Sequence, residues 1–433
     1  MRYIKIVSFI LLAVASCYVS TAQNENPSNL TSSPYTRYGV GRIAPIGNAA
    51  TRGMAGVGVA QRTSAYTNMV QPASLTAIDT LTMIFDAGLD VEWARYSEDG
   101  THETDWNAGF AYMSFHFPLW RRTAMSLSLS PYSMVGYDFG ATGREGIDSQ
   151  IVKADTLVWQ NTYAGNGGLQ RVAAAMAWRA LKTQRTSLDV GATFGYIYGT
   201  VSHGATAYIS SGQAQSTVTT RAFTARGFEL GVGVQWQQWL DARRSIVVGA
   251  TFSPKLHLGV DADIEKYSNT DTMTYTRSIA MHTPLKAGFG VSYNVDRKLF
   301  AEFDFSFENW KNAGGLDANF NYKDDYYRNI TKFAAGVEYR PSIYDQSYMK
   351  TCRYRAGLAV RSSYVEVYGS QSWEYTATLG LGLPVPGRRS ILNVALEYSH
   401  LAPSKSDLLA EDCLRLTLGM TFNEVMFYRN RLR

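Results

Sequence analysis

The chain has 433 residues, a formal net charge of +5 and charged side chains at only 18% of its positions. That length exceeds one ordinary soluble core, yet no run approaches the roughly 20 apolar residues of a transmembrane helix. Much of the positive charge lies in short turns rather than on one groove or helix, so nucleic acid is not an expected partner.

The amino terminus predicts export. A short basic start followed by an apolar run, residues 6–15, is typical of a secretory signal peptide, which we place at residues 1–22. Small residues ending at Ala22 favour cleavage before Gln23. A lipobox-like alternative ends at Cys17, which would then carry a lipid.

Residues 23–80 are rich in Gly, Ser, Asn and Pro and lack regular alternation. They carry too little charge to be typical of a disordered arm. The barrel predicted for the rest of the chain has a lumen wide enough to need filling, so we interpret this segment as a plug inserted from the periplasmic side. The candidate plug residues are Tyr35, Arg37, Tyr38, Gly39, Arg52, Gly53, Met54, Gly56, Asn68 and Pro72.

Apolar and polar residues alternate with period two along many segments after residue 80. The clearest segments are 83–93, 299–307 and 414–422. A strand places successive side chains on opposite faces, so one face suits lipid and the other a polar lumen. A soluble β-sandwich with one wet face is the alternative, but it rarely needs so many strands of about ten residues with an aromatic near one end.

About fourteen such strands fit between Met83 and Phe422. An even number suits a single-chain transmembrane β-barrel and returns both ends to the periplasm. The predicted fold is therefore all-β, an antiparallel barrel over residues 81–433 with a C-terminal periplasmic extension. The outer loops are predicted at 95–105, 135–167, 201–222, 262–282, 309–330, 362–372 and 400–412, with the polar second and fourth folding over the mouth.

Short basic turns recur between the predicted strands. Basic residues at this level can contact anionic lipid headgroups or a periplasmic partner; solvated turns are the alternative. The candidate turn residues are Arg121, Arg122, Arg243, Arg244, Arg388 and Arg389.

Two cysteines, Cys352 and Cys413, remain after export. The strand count places them at opposite rims, roughly 25 Å apart, which is beyond disulfide geometry. We therefore expect two separate thiols.

No motif indicates catalysis. The six histidines are scattered without metal-ligand spacing, and the chain has neither a phosphate loop nor a Gly-x-Ser-x-Gly turn. We expect no enzymatic activity, no cofactor and no metal.

Both ends of the chain resemble a known superfamily. The run Arg52–Ala60, followed by Asn68 and by Gln71-Pro72-Ala73, resembles the N-terminal hatch of FadL-like outer-membrane barrels. Gln71 stands where that family has Asn. The opening 33–41 and the tail 422–429 are similar to the Bacteroidota branch. The resemblance implies a fourteen-stranded barrel with a plug.

The resemblance allows two functions. Some relatives move fatty acids or other apolar molecules through the barrel wall. Others, such as the shuttle barrel of type IX secretion and a FadL-like subunit of the barrel-assembly machinery, are partners in larger complexes.

The branch-specific opening, the basic turns and the tail Val425–Arg433 favour an accessory subunit of an outer-membrane biogenesis or secretion complex. Its expected partners are outer-membrane lipid and other outer-membrane or periplasmic proteins. The alternative is a transporter with a hydrophobic ligand. The inward faces favour a hydrated lumen over a fatty-acid tunnel, since they carry Asp86, Asp90, Glu92, Glu302 and Asp304.

Overall fold

The computed structural model describes most of the chain after residue 30. The described residues are 31–98, 100–146, 156–209, 217–268, 271–296, 298–316, 322–323, 327–342, 345–367, 369–386, 389–403 and 408–425. The predicted signal peptide, Arg388 and residues 426–433 lie outside them.

Long antiparallel strands dominate these residues. The strands are β1 (Arg42–Ile43), β2 (Thr82–Glu98), β3 (Thr101–Trp120), β4 (Thr123–Gly146), β5 (Thr156–Lys182), β6 (Thr186–Ile209), β7 (Thr217–Trp239), β8 (Arg244–Ser253), β9 (His257–Ser268), β10 (Thr272–His282), β11 (Leu285–Val295), β12 (Leu299–Asn309), β13 (Gly315–Leu316), β14 (Tyr322–Lys323), β15 (Ile330–Tyr339), β16 (Arg353–Val367), β17 (Ser370–Pro384), β18 (Ile391–Ala402) and β19 (Ala410–Val425). Two 3₁₀ turns, Pro34–Arg37 and Pro72–Ala77, and two short α-helices, Ala49–Arg52 and Tyr348–Thr351, complete the elements. Within the described stretches, no helix is both long and apolar enough to span a membrane.

The sheet closes on itself, because β19 pairs with β2 along its length. β8 and β9 both pair with β7 and are two halves of one barrel strand. β10 and β11 are the halves of the next one. Each interruption contains a proline, Pro254 or Pro284, which has no N–H to give to a ladder. Counted this way, the described strands form a closed fourteen-stranded barrel, and the prediction of an all-β antiparallel barrel of about fourteen strands is confirmed.

Side chains alternate between the two faces of the wall as predicted. Leu89, Phe303 and Leu418 face outward and are exposed, whereas Asp86 and Glu302 face inward and are buried. The outer surface therefore presents an apolar belt suited to lipid.

The connections β3–β4, β5–β6, β7–β8, β11–β12, β15–β16 and β17–β18 lie at one end of the barrel, which we call the turn end; the opposite end is the loop end. Thr82 and Val425 are paired at the turn end. Cys352 directly precedes β16 at the turn end, and Cys413 lies in the loop-end part of β19. Both cysteines are buried free thiols.

Six strands on one side rise well above the rest at the loop end. The ladder between β4 and β5 continues to Gly146 opposite Thr156, and β9 pairs with β10 up to Tyr267 and with β7 up to Ser268. The predicted loops 135–167, 201–222 and 262–282 are thus wrong over most of their length, since these residues extend the strands. We call this part, formed by β4–β7, β9 and β10, the outer sheet.

The wall is split on one side of the loop end. β3 pairs with β4 only between Met113 and Trp120. Beyond that point β4 has a register shift after Pro131 and pairs with β1 at Ser133 and Met134. A short strand from the N-terminal segment therefore lies on the edge of β4 where β3 has left it.

Candidate functional site

The lumen holds the N-terminal segment, residues 31–81, which crosses it from end to end. At the loop end, Ser33 donates a hydrogen bond to Glu411, and the Tyr35 hydroxyl donates to the Leu409 carbonyl at 2.7 Å. The segment reaches the turn end only where β2 begins. The expectation of a periplasmic amino terminus concerns residues that precede Thr31 and lie outside the described part.

Apolar side chains fill the loop-end part of the lumen. Trp310, Tyr327 and Tyr364 pack with ring centroids 4.8–6.0 Å apart. They contact Val40 and Ile43 of the N-terminal segment and the inner face of the outer sheet. We call this group the outer cluster. It lies between the mouth and the rest of the lumen.

A charged layer follows beneath the outer cluster. Arg42 lies 3.3 Å from Glu92 and 3.1 Å from Glu374. Arg415 pairs with Glu92 and, at 2.8 Å, with Glu397. The three acids of this layer are thus paired with two arginines, one of which comes from the N-terminal segment. Such pairs compensate the desolvation of their charges.

The helix Ala49–Arg52 is held to the wall at its first turn. Asn48 caps it by accepting from the Thr51 N–H at 3.0 Å, and its amide donates to Asp86 at 2.9 Å. Arg52 at its last turn pairs with Asp90. An Asn N-cap satisfies a free N–H of the helix start, so this one residue both begins the helix and positions it.

Successive backbone N–H groups then bind two carboxylates of β12. Gly58 and Val59 donate to one oxygen of Asp304 at 2.7 and 3.0 Å. Ala60 donates to Glu302 at 2.6 Å. These buried N–H groups would otherwise lack a partner, which is costly, so this run is a main attachment of the segment.

Glycines let the two backbones meet closely. A Cβ on Gly249 would lie 2.1 Å from the Val59 oxygen, and one on Gly357 would lie 2.4 Å from the Met54 carbonyl carbon. Within the segment, Gly56 has a φ of +73°, a conformation that favours glycine. Glycine in a strand often marks such a close approach.

Polar contacts continue to the turn end. Arg62 lies 2.9 Å from Asp189. The Tyr66 hydroxyl donates to Glu338 at 3.3 Å, and burial raises the pKa of Tyr66, so the phenol remains neutral. Gln71 donates through its amide to the carbonyls of Val59, Val234 and Ala250 at 3.1–3.3 Å.

The structure brings the ten predicted plug residues into contact with the wall or with the segment itself. Arg37 lies 4.0 Å from the centroid of the Tyr163 ring, and the Tyr38 carbonyl accepts from Tyr364. The others are placed as follows: Tyr35 and Arg52 as described above, Gly39 beside Tyr364, Gly53 against Gly380, Met54 against Ala334 and Ala359, Gly56 beside Lys332, Asn68 on the carbonyls of Gly58 and Gln61, and Pro72 against Gly191.

Sequence reasoning missed Arg42, Asn48, Arg62 and Gln71 as attachment residues. Asn48 carried a usable signal, since Asn before Ala49-Ala50-Thr51 is a typical helix start. Gln71 lies in the hatch-like motif and caps the 3₁₀ turn that begins at Pro72. Arg42 and Arg62 make contacts with distant strands, which no local pattern indicates.

The predicted turn residues do not join the lumen. Arg121, Arg122, Arg243, Arg244 and Arg389 are exposed at the turn end. Arg244 pairs with Asp241 at 2.6 Å, whereas Arg121 and Arg122 have no ion pair with any described residue.

Two cavities of the described lumen bear on its function. One, of about 250 Å³, lies beneath the outer cluster and is lined by both charged and apolar side chains. The other, of about 90 Å³, lies nearer the loop end and is lined by several hydroxyl groups. The described residues contain no group of three or more His, Cys, Asp or Glu side chains suited to a metal ion.

Comparisons with known proteins agree with this architecture. The family model described as BamG matches residues 3–433. A FadL homologue from Pseudomonas aeruginosa has a TM-score of 0.59 at 14% identity, over 88% of this chain and 99% of that one. The Ralstonia pickettii toluene transporter TbuX has a TM-score of 0.55 at 15% identity, over 87% and 98%. The P. putida toluene transporter TodX has a TM-score of 0.53 at 13% identity, over 89% and 100%. No curated protein matches the sequence.

Proposed function

Because this chain belongs to the BamG family and is a FadL-like outer-membrane barrel, we propose that it is a non-enzymatic accessory subunit of an outer-membrane protein biogenesis or secretion complex. The family name points to such an assembly. The proposed order is a signal peptide at 1–22, a plug at 23–80 and a barrel at 81–433, with the turn end in the periplasm.

The filled lumen is the observation that carries this proposal. The N-terminal segment is hydrogen-bonded to the wall at successive levels, and the outer cluster packs above it. A cavity of about 250 Å³ that remains among the described residues is lined by charged as well as apolar side chains. An apolar solute crossing the barrel would have to displace these groups and leave buried charges unpaired, which is costly. A closed barrel is suited to supporting a partner.

The turn end supplies the proposed contact surface. Four of its turns are linked to the next strand or turn by backbone hydrogen bonds: Arg179 N–H to Arg122, Trp239 to Arg185, Asp296 to Arg243 and Arg340 to Lys298, at 2.7–2.8 Å. Each acceptor is a basic residue. The basic side chains therefore project from a connected rim, which suits an acidic face of a periplasmic partner.

Affinity purification from the native outer membrane in mild detergent tests this proposal. We expect a stoichiometric partner barrel or lipoprotein. Double charge reversal at Arg121→Glu and Arg122→Glu should reduce its recovery several-fold. The matched control is Arg226→Glu with Arg277→Glu, two exposed positions on the outer sheet. Purification of the wild-type protein alone, without a partner, would contradict the accessory role.

Transport of a hydrophobic molecule is the second candidate function. The split between β3 and β4 favours it, since the two strands separate beyond Met113 and Leu129. Crystal structures of toluene transporters share the fold. Uptake of a radiolabelled hydrocarbon or fatty acid into cells, lost on deletion of this protein alone, would support transport over the accessory role.

A further inference from the structure

Two basic residues lie side by side on the wall of the larger cavity. Lys332 on β15 is directly opposite Arg361 on β16, and both side chains line the 250 Å³ cavity. Like charges directly opposite on neighbouring strands repel each other. Their placement together puts two cationic side chains side by side in the cavity, where Asp304, Glu374 and Glu397 attract the Lys332 ammonium without forming an ion pair with it.

The acidic residues of this cavity are occupied by other groups. Each of them has a partner within hydrogen-bonding distance: Glu374 has Arg42 at 3.1 Å, Glu397 has Arg415 at 2.8 Å, Glu229 has Lys286 at 3.1 Å, Asp304 has the Gly58 N–H at 2.7 Å, and Glu308 has the Trp310 indole at 2.8 Å. None of them forms an ion pair with Lys332 or Arg361 among the described contacts.

The remaining contacts of the two basic groups leave room for a ligand. The Lys332 ammonium donates one hydrogen bond, to the Ala55 carbonyl at 3.1 Å. The Arg361 guanidinium has no hydrogen bond or ion pair with any residue in the described part of the chain. Ser306, opposite Lys332 on β12, lines the same cavity and offers a hydroxyl donor.

We propose that Lys332 and Arg361 hold a small oxyanion, such as sulfate or phosphate, in this cavity. The planar guanidinium presents two parallel N–H groups to such an anion, and the ammonium supplies a point charge beside it. The cavity is bordered by paired carboxylates, so it suits a compact hydrophilic anion rather than a long acyl chain. Arg361 also lines the smaller cavity nearer the loop end, whose walls carry serine hydroxyls.

Calorimetric titration of the full-length protein in detergent tests the site, with sodium sulfate and sodium phosphate as probes at constant ionic strength. We expect saturable binding of one anion per chain. Arg361→Gln and Lys332→Gln should each weaken binding at least tenfold, while Lys332→Arg should retain it. Arg277→Gln, an exposed arginine on β10, is the control and should bind as the wild type does.

The melting temperature of each variant distinguishes a loss of anion binding from a folding defect. Without anion, Arg361→Gln should melt at or above the wild-type temperature, because the repulsion is gone and Arg361 makes no hydrogen bond or ion pair with a described residue. Sulfate should then raise the melting temperature of the wild type alone. Absence of binding to the wild type, or equal binding to all variants, would overturn the proposal. So would binding of palmitate, but not of sulfate, that depends on the same two residues.

Discussion

Gly249 offers the sharpest test of how the N-terminal segment is held. It lies on β8, where the segment passes directly over the wall. A Cβ at this position would lie 2.1 Å from the Val59 oxygen and 2.8 Å from the Val59 carbonyl carbon. Non-bonded heavy atoms settle at about 3.5–4.0 Å, so Gly249→Ala should push the Val59 backbone away from the wall by roughly 1 Å or more.

The hydrogen bonds of Val59 set the cost of that movement. Its carbonyl accepts from Gln71 and from Gln235, both at 3.1 Å, and its N–H donates to Asp304 at 3.0 Å. Two neutral hydrogen bonds at about 1 kcal/mol each and one to a carboxylate at about 2 kcal/mol give about 4 kcal/mol. Alanine in a strand recovers about 0.5–1 kcal/mol. The net loss of about 3 kcal/mol corresponds to a roughly 100-fold larger displaced population.

The barrel ladder itself is untouched, so the variant should still insert and close. We expect higher single-channel conductance in planar bilayers and faster proteolysis within residues 31–80. Gly204→Ala is the matched control, because its Cβ would lie 3.8 Å from the nearest described atom. Equal conductance and equal protease resistance for Gly249→Ala, Gly204→Ala and the wild type would refute this account of the contact.

Three further predictions address the plug, the outer cluster and the cysteines. Deletion of residues 24–80 should leave a barrel that inserts but leaks, measured by conductance; unchanged conductance would contradict the plug. Trp310→Ala should cost about 3–5 kcal/mol of stability in thermal unfolding, because Trp310 is 2% exposed, whereas Trp106→Ala, at 69% exposure, should change it by less than about 0.5 kcal/mol. Non-reducing peptide mapping should find Cys352 and Cys413 as separate thiols; a linked peptide would disprove the topology.

The membrane-facing part of the fold could be predicted because its determinants are local. In residues 299–307, lipid on one side and a polar lumen on the other impose alternation within a single strand. Short turns then fix the order of strands. Both signals need only neighbouring residues, which is why the strand number is correct.

The outer sheet escaped prediction because the polarity of its faces is inverted. On β9, Val260 and Ala262 face inward and are buried in the outer cluster, while Asp261 and Asp263 are exposed. Beyond the apolar belt the outward face is polar and the lumen is apolar, so the same alternation carries the opposite meaning. An alternation pattern that expects apolar residues on the outward face therefore assigns such strands to polar loops.

The prediction of a hydrated lumen also describes the structure only in part. Inward acids such as Asp86 and Asp304 are present as predicted, but the chain's own N-terminal segment occupies them. The contact between Asp304 and Gly58 joins residues 246 positions apart. Nothing local to either residue indicates the other, so these contacts required the structure.

The charged layer and the outer cluster contribute differently to the closed barrel. Buried ion pairs such as Arg42 with Glu374 add little net stability, because desolvation offsets much of their attraction. They do specify position, since a shift of the segment by one residue would leave several charges unpaired. The outer cluster, in contrast, stabilises through burial of apolar area, at about 25 cal/mol per Å². The stability of the filled lumen should therefore depend mainly on residues around Trp310. The position of the N-terminal segment along the lumen should depend mainly on residues around Arg42 and Asp304.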